Sequence, residues 1–422
     1  MRRADATRLY YTLQILLFMP TWVVMSVYLV RELHFSPLEL VLMGTAMEAA
    51  VFLFEVPTGV VADTYSRRLS LIIGYLGMGV TWMLVGVVSQ AWTIILLWAL
   101  WGVSYTFTSG ASQAWITDEV GLERVRRIFL RGARLRYAGT VLGLIGQVAL
   151  GVVSLRAGVI AGGAITTVAG LVCIVFMPET GFRRRPRSER GSALVEMRGT
   201  ALVSVRYARA APVILILVGV AVCMGMSSEA FDRLKEAHFL HDVGLPAIGH
   251  LSPVVWFGIF WLVGMVNGFA ATGLLIRRVE RGGRQVVSSS LFACALFELA
   301  AMLVFALTGS VWVAIAALLG VFLARNLSDP LYTIWLNEQI TDSRIRATVL
   351  SIGGQADAVG QAGGGPVLGT IGNVFGLRTA LAAGALAIVP ALGLYGRAVA
   401  HQGRDPELEE PALAAAVDSL AP

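Results

Sequence analysis

Two carboxylates lie deep inside apolar stretches of this sequence. Glu48 and Asp357 each stand about eleven residues into a predicted helix, which at 1.5 Å per residue places both near the middle of a membrane. A charged carboxylate at that depth costs roughly 2.5–3.5 kcal/mol. An apolar cavity raises a carboxyl pKa, so such a group can take up and release a proton near neutral pH. Both residues are the leading candidates for proton binding, and a neutral, hydrogen-bonded packing role is the alternative.

Further charges inside apolar runs form a second group of proton-coupling candidates. This group comprises Glu55, Asp329, Arg325 and Arg136. Glu55 follows Glu48 by seven residues on nearly the same helix face, close to the predicted cytoplasmic end, where a gate is expected. Arg325 and Asp329 are four residues apart and are expected to pair along one helix face. The two halves of the chain align with a shift of 220 residues, and Arg136 is one residue from the position that aligns with Asp357. Arg136 is therefore a weaker candidate, as a partner of Asp357.

Other polar residues gather near the predicted outer ends of helices. Glu298, and with it Glu229, Asp232 and Arg233, either line an external vestibule or are simply hydrated there. The spacing of His238, His241 and Asp242 loosely resembles that of metal ligands, but an exposed loop is the simpler interpretation. No metal site is therefore predicted.

The composition defines the elements that must position these residues. The chain has 422 residues, of which 56% are hydrophobic and 14% charged, with a mean hydropathy of +0.73. This apolar content exceeds what one water-soluble core can hide and predicts an all-α membrane protein. Twelve apolar runs of about spanning length are expected. They lie near 9–30, 40–61, 69–89, 92–114, 135–155, 159–177, 213–231, 253–276, 286–307, 311–336, 349–371 and 377–399.

The basic residues predict the topology and exclude several functions. Most of them lie at the N-terminus, in every second loop or in the tail, which places both termini in the cytoplasm. The only lysine, Lys235, has no phosphate-binding glycine loop before it, so ATP is not expected as the energy source. The positive-inside effect explains the arginines without a nucleic acid partner. The three cysteines have neither metal nor redox spacing.

The runs divide into two halves of six. The predicted organisation is an N-terminal bundle (1–177), a basic cytoplasmic linker (178–211), a C-terminal bundle (212–399) and an acidic, alanine-rich cytoplasmic tail (400–422). A shift of 220 residues lays Trp115 over Trp335 and Gly143 over Gly363, with charged positions between them also matching. Pseudo-symmetric halves with a substrate site between them are one plan of secondary transporters.

The segment Gly59–Arg68 carries a family resemblance. It reads G-V-V-A-D-T-Y-S-R-R and resembles the cytoplasmic signature of the major facilitator superfamily, roughly G-x-L-A-D-R-x-G-R-R. The resemblance implies that Asp63, Arg67 and Arg68 latch the cytoplasmic side, with Gly59 allowing helix approach and Asp118 as the acidic partner. Thr64 and Ser66 depart from the pattern, so a weaker or re-wired latch is expected.

The superfamily implies a transporter, not an enzyme. By resemblance, mid-depth residues of the cavity-lining helices form the substrate pocket: Gln14, Trp22, Trp101, Tyr105, Thr108, Asn267 and Trp335. Aromatic pockets suit apolar or cationic organic compounds. The chain resembles most the bacterial drug or metabolite:proton antiporters, although the fifth predicted run, near 135–155, lacks their Gly-Pro pair.

We therefore expect export of a small organic compound in exchange for protons across a prokaryotic inner membrane. The proton gradient would be the energy source, without a cofactor, and a monomer is the family's usual state. Import of a small, conceivably anionic, metabolite and a non-transporting scaffold or sensor are the alternatives. A pocket charge complementary to one solute would favour import.

Overall fold

The structure is a computed structural model that describes residues 3–182, 212–339 and 343–401; the side chains of residues 3–4, 212–214, 272, 274–285, 338–339, 343–351 and 398–401 are not described. In these ranges it contains fourteen α-helices, one π-helical turn and one 3₁₀ turn. Most of the predicted linker and tail lies outside the described residues. The helices form two compact units, one of Met1–Met197 and Gly249–Gly258 and the other of Arg198–Ile248 and Ile259–Pro422.

Unit 1 contains the first eight helices. They are α1 (Arg3–Leu16), α2 (Trp22–Arg31), α3 (Pro37–Thr64), α4 (Arg67–Val85), α5 (Ala91–Thr106), α6 (Ala111–Val120), α7 (Leu122–Val153) and α8 (Leu155–Phe176). Local signals define several of the starts. Ser36 and Glu39 form a reciprocal capping box before Pro37, and Ser66 and Ser154 cap α4 and α8.

Unit 2 contains most of the remaining elements. They are α9 (Pro212–His238), a π-helical turn (Phe239–Val243), α10 (Pro253–Leu307), α11 (Val311–Gln339), α12 (Ser343–Phe375), α13 (Leu377–Leu386) and α14 (Ile388–His401). A 3₁₀ turn (Ile248–His250) stands before α10. The residues between the eighth and ninth predicted runs are helical, so both runs lie within α10.

Ten segments of the described residues are long and apolar enough to cross a membrane. Two predicted runs are not among the ten. The run near 9–30 forms α1 and the short apolar helix α2, and the run near 349–371 lies in α12. The count of twelve crossings and the cytoplasmic side of both termini stay predictions.

The first predicted run is broken, which the hydrophobic pattern did not reveal. Pro20 has no backbone N–H and would clash with the carbonyl four residues earlier, so the helix ends at Leu16 and resumes at Trp22. Gln147 of α7 satisfies the break: its amide nitrogen donates to the Met19 carbonyl (3.0 Å), and its amide oxygen accepts from the Thr21 N–H (3.2 Å). Inside a bilayer such groups have no water partner, so this side chain is what makes the break tolerable.

Glycine pairs bring a later helix against the first predicted run of each unit. In unit 1 a Cβ at Gly139 would clash with the Ile15 carbonyl oxygen, and one at Gly143 with that of Met19. In unit 2 a Cβ at Gly360 would clash with the Val222 carbonyl oxygen. Four residues on, Gly364 contacts the side chain of Met226, whereas nothing lies within 4 Å of the predicted equivalent, Gly363. The packing repeat is therefore offset by one residue from the sequence repeat.

Replacing Gln147 tests the broken helix. In Gln147→Leu the Met19 carbonyl and the Thr21 N–H both lose their partner, and each buried unsatisfied group costs about 1–3 kcal/mol. We expect a clear fall in the thermal unfolding midpoint of the detergent-purified protein. The exposed Gln113→Leu is the matched control. Equal midpoints for the two variants would contradict the assigned role.

Candidate functional site

The predicted cytoplasmic motif forms an ion-pair group within unit 1. Arg67, at the start of α4, pairs with Asp118 near the end of α6, and a second guanidinium nitrogen lies 3.7 Å from an Asp63 oxygen. The guanidinium also lies over the ring of Phe182, 5.6 Å from its centre. Arg67 thus connects the α3–α4 turn to the end of α6.

A carboxylate that the motif does not contain completes this group. Glu179 accepts a hydrogen bond from the Ser66 hydroxyl (2.7 Å) and another from the Arg68 N–H (3.0 Å), both at the start of α4. The Ser66 hydroxyl in turn accepts from the Leu69 N–H (3.0 Å). A glycine at position 66 would supply no hydroxyl, so the departure from the family pattern creates the bond to Glu179. The Arg68 side chain donates to the Ile174 carbonyl at 2.6 Å.

The segment after α8 is held to the end of α6 by a second acid. Glu119 accepts from the N–H and the hydroxyl of Thr180 (2.6 and 2.7 Å) and from the Gly181 N–H (2.8 Å). The buried indole of Trp115 donates to the Pro178 carbonyl at 2.7 Å. The sequence analysis did not identify Glu119, although its position beside Asp118 was an available signal.

Two expectations for the motif are not met by the described residues. Gly59 has no atom within 4 Å of its Cβ position, so the close helix approach expected there does not occur in this conformation. Glu55, expected near the latch, instead accepts a hydrogen bond from the Ser109 hydroxyl (2.7 Å) in the turn between α5 and α6. That turn, and not the motif, lies opposite this part of α3.

Four ring side chains of unit 1 pack in a series that we call the aromatic column. It comprises Trp22, Trp98, Trp101 and Tyr105. The centroid separations along it are 5.4, 5.3 and 5.6 Å, and the last two pairs are nearly parallel, at 11° and 8°. Trp82 packs on its flank, 5.2 Å from Trp98. The structure thus brings together three predicted pocket residues and adds Trp98, which the count along α5 (98, 101, 105) could have identified.

The column ends next to the predicted carboxylates of α3. Tyr105 is 40% exposed, and Glu55 and Glu48 are both close enough to interact electrostatically with its hydroxyl. Glu48 is half-buried. Thr108 uses its hydroxyl to bond the Tyr105 carbonyl at 2.8 Å, so it supports the backbone at this point.

Arg325 is the centre of the charged group in unit 2. Its guanidinium donates to Glu298 of α10 (2.7 Å) and to Asp232 of α9 (2.9 Å), and lies over the ring of Phe231 at 5.0 Å. The expected pair with Asp329 is therefore not the one formed: two carboxylates from other helices occupy the guanidinium, and Asp329 is exposed. Glu298 and Asp232 therefore bind this arginine, a role that neither of the two expectations for them included.

The same group contains more acids than bases. The acids are Glu229, Asp232, Glu236, Glu298, Asp329 and Asp357, and the bases are Arg233, Lys235 and Arg325. Glu229 pairs with Arg233 (3.2 Å) and Glu236 with Lys235 (3.3 Å). The second carboxylate oxygen of Glu298, a residue 1% exposed, has no hydrogen-bond partner among the described residues. We call these nine residues the unit 2 charge cluster.

Asp357, on α12, differs in its partner from the paired acids of α9 and α10. Its carboxylate accepts from the amide of Gln361 at 2.7 Å, a neutral group one helical turn away on α12. It lies close enough to Arg325, Asp232 and Asp329 to interact with them electrostatically. Asp357 therefore adds a negative charge to a cluster in which the nearest guanidinium already binds two carboxylates.

The remaining candidates lie apart from these groups. Arg136 is exposed, with its guanidinium 4.8 Å from the centre of the Phe18 ring, and its expected relation to Asp357 stays a prediction. Asn267 is half-buried on α10, and Gln14 is buried. Trp335 is 1% exposed and packs on Tyr332 and Tyr395, which makes it a core residue of unit 2 in this conformation.

His238 is buried, contrary to the expected exposed loop. Its Nδ1 lies 2.8 Å from the Asp242 carboxylate and its Nε2 3.0 Å from the Phe305 carbonyl. A carbonyl only accepts, so Nε2 carries a hydrogen and the ring ties the end of α9 to α10. Within the described residues no group of three or more His, Cys, Asp or Glu could hold a metal ion.

Substituting His238 tests this tie. His238→Leu leaves the Phe305 carbonyl without its partner in a fully buried site, so we expect a lower thermal unfolding midpoint, equivalent to about 1–3 kcal/mol. The exposed His241→Leu, three residues along, should leave the midpoint unchanged. An unchanged midpoint for His238→Leu would show that the tie does not contribute to stability.

A double-mutant cycle tests the motif. Arg67→Gln and Asp118→Asn remove the two ends of one partly exposed ion pair, so their effects on the free energy of unfolding should be non-additive by about 1 kcal/mol. The cycle of Arg67→Gln with Glu123→Gln, an exposed acid on α7, should be additive. Additivity in both cycles would mean that the pair contributes no coupling.

Comparisons with known proteins agree with this architecture. A model of the Major Facilitator Superfamily matches residues 9–352. The uncharacterized MFS-type transporter YxaM of Bacillus subtilis (strain 168) is 28% identical over 129 residues, which is 31% of this chain and 31% of YxaM. The match therefore spans about a third of the length of that curated relative.

Several solved transporter structures share the fold. The nucleoside transporter NupG, in a mutant form, superposes with a TM-score of 0.74 at 14% identity, covering 94% of this chain and 99% of NupG. A mutant of a peptide transporter POT gives 0.71 at 13% identity, covering 96% and 98%. A bacterial homologue of the human lysosomal transporter Spinster gives 0.68 at 13% identity, covering 94% and 96%. At these identities the likeness extends to the fold alone.

Proposed function

Because this chain belongs to the major facilitator superfamily, a family of transporters, we propose that it exports a small organic compound in exchange for protons by alternating access. It is a multi-pass membrane protein of this type with a bacterial homologue. We place it in a prokaryotic inner membrane as a monomer that uses the proton gradient and neither ATP nor a cofactor. One charge moved through 100 mV supplies about 2.3 kcal/mol, enough for a roughly fifty-fold gradient.

The observation that carries proton coupling is the partner of Asp357. Within the unit 2 charge cluster Arg325 binds both Asp232 and Glu298, whereas the hydrogen bond of Asp357 comes from the neutral amide of Gln361. An ionised carboxylate at membrane depth without a bound cation is costly, and adding a proton removes that cost. Asp357 is thus the carboxylate that we assign to proton uptake and release.

The same cluster bears on the choice between export and import of an anionic metabolite. Arg325 and Arg136 are the two intramembrane bases that would suit an anionic substrate, and two carboxylates occupy the guanidinium of Arg325. An anion would have to displace one of them. The aromatic column beside Glu48 and Glu55 favours a neutral or cationic compound instead. Export with protons is therefore the function that these side chains support best.

Reconstitution tests the proposal. Proteoliposomes that contain a pH-sensitive dye are exposed to cationic, neutral and anionic compounds in turn, with wild type, Asp357→Asn and, as control, Asp418→Asn in the acidic tail. We expect one class of compound to trigger proton movement in wild type and the control. Asp357→Asn should lose the proton movement because an amide cannot bind the transported proton.

A second readout separates loss of coupling from loss of the protein. Exchange of labelled for unlabelled compound, which needs no net proton movement, should persist in Asp357→Asn. Proton movement at the wild-type rate in Asp357→Asn would show that another group carries the proton. No proton movement with any compound in wild type would favour another coupling ion or the scaffold alternative.

A further inference from the structure

The aromatic column and the carboxylates at its end form one continuous surface within unit 1. We propose that this surface is a binding site for a planar aromatic cation. The inference rests on the proposed transport function and names the class of compound that the transporter carries.

The ring geometry suits a flat ligand. Trp98, Trp101 and Tyr105 lie on one face of α5 with nearly parallel neighbouring planes, so another ring can extend the series by offset stacking at a similar separation. Trp98 is 2% exposed, whereas Tyr105 is 40% exposed. The buried end fixes the rings in place, and the accessible end is where a ligand ring can be added.

The charges at the accessible end select a cation. Glu55 and Glu48 both lie within electrostatic reach of the Tyr105 hydroxyl, and Glu55 is oriented by the hydrogen bond from Ser109. Neither α3 nor α5 contains a lysine or an arginine. The π faces of the rings are themselves negative, so carboxylates and rings attract the same positive charge. An anion of the same shape would be repelled, and a neutral compound would gain only the stacking.

Direct binding tests this site. Fluorescence polarisation of ethidium, a planar aromatic cation, is titrated with the detergent-purified full-length protein. We expect saturable binding at one site per chain. Trp101→Ala and Glu55→Gln should each weaken it about tenfold, since the first removes a cation–π contact and the second removes a charge partner.

Matched controls keep the result interpretable. Trp92→Ala removes an exposed tryptophan from the same helix outside the column, and Glu123→Gln removes an exposed acid; neither should change the affinity. Trp101→Phe keeps an aromatic ring and should retain part of the binding, which separates loss of stacking from misfolding of Trp101→Ala. Fluorescein, a planar anion, should bind at least tenfold more weakly than ethidium.

The outcomes distinguish this inference from the proposed function. Absence of saturable ethidium binding, equal effects of Trp101→Ala and Trp92→Ala, or equal affinity for fluorescein would each overturn the site. If proton-driven movement of a different compound is then found, transport stands and only the substrate class is wrong. Column-dependent ethidium binding without proton-linked movement of any compound would support the site and contradict the coupled export.

Discussion

A polar group that enters the bilayer must find its partner within the protein, and the bond network around Arg325 meets this constraint with partners from two other helices. Its guanidinium is held between Asp232 and Glu298, from two other helices, and over the ring of Phe231. Removing either acid would leave the half-buried guanidinium with one carboxylate partner fewer. The packing of α9, α10 and α11 therefore depends on the ionised state of Asp232, Glu298 and Arg325.

This arrangement also determines which carboxylate of the cluster is available to bind a proton. Once Arg325 is occupied, Asp357 is stabilised by a neutral amide and an added proton meets no competing ion pair. In unit 1 the same constraint has a different solution, since Gln147 satisfies the backbone of the broken first helix and allows Trp22 to begin α2 beside Trp98. The break in the first helix thus also positions the first ring of the aromatic column. The proposed proton site and the proposed substrate surface are accordingly built from separate residues.

Hydropathy and the motif Gly59–Arg68 were sufficient to predict a helical membrane protein of this superfamily, because both depend on residues close in sequence. Asp118 was also predicted as the acid near Arg67. The partners of Arg325, the role of Glu179 and the burial of His238 were not predicted. Each depends on a contact between helices distant in sequence, and a single sequence shows which residues share a helix face but not which faces meet. Pro20 was the local signal for the broken first helix that hydropathy alone did not use.

The central claim is that Asp357 takes up the proton that drives transport. Infrared difference spectroscopy of the purified protein, comparing samples with and without a transported compound, measures it directly through the carbonyl stretching band of a protonated carboxylic acid. The account predicts a difference band in wild type that disappears in Asp357→Asn and persists in Asp418→Asn. An identical band in Asp357→Asn would show that the proton is bound elsewhere, and the assignment would be wrong.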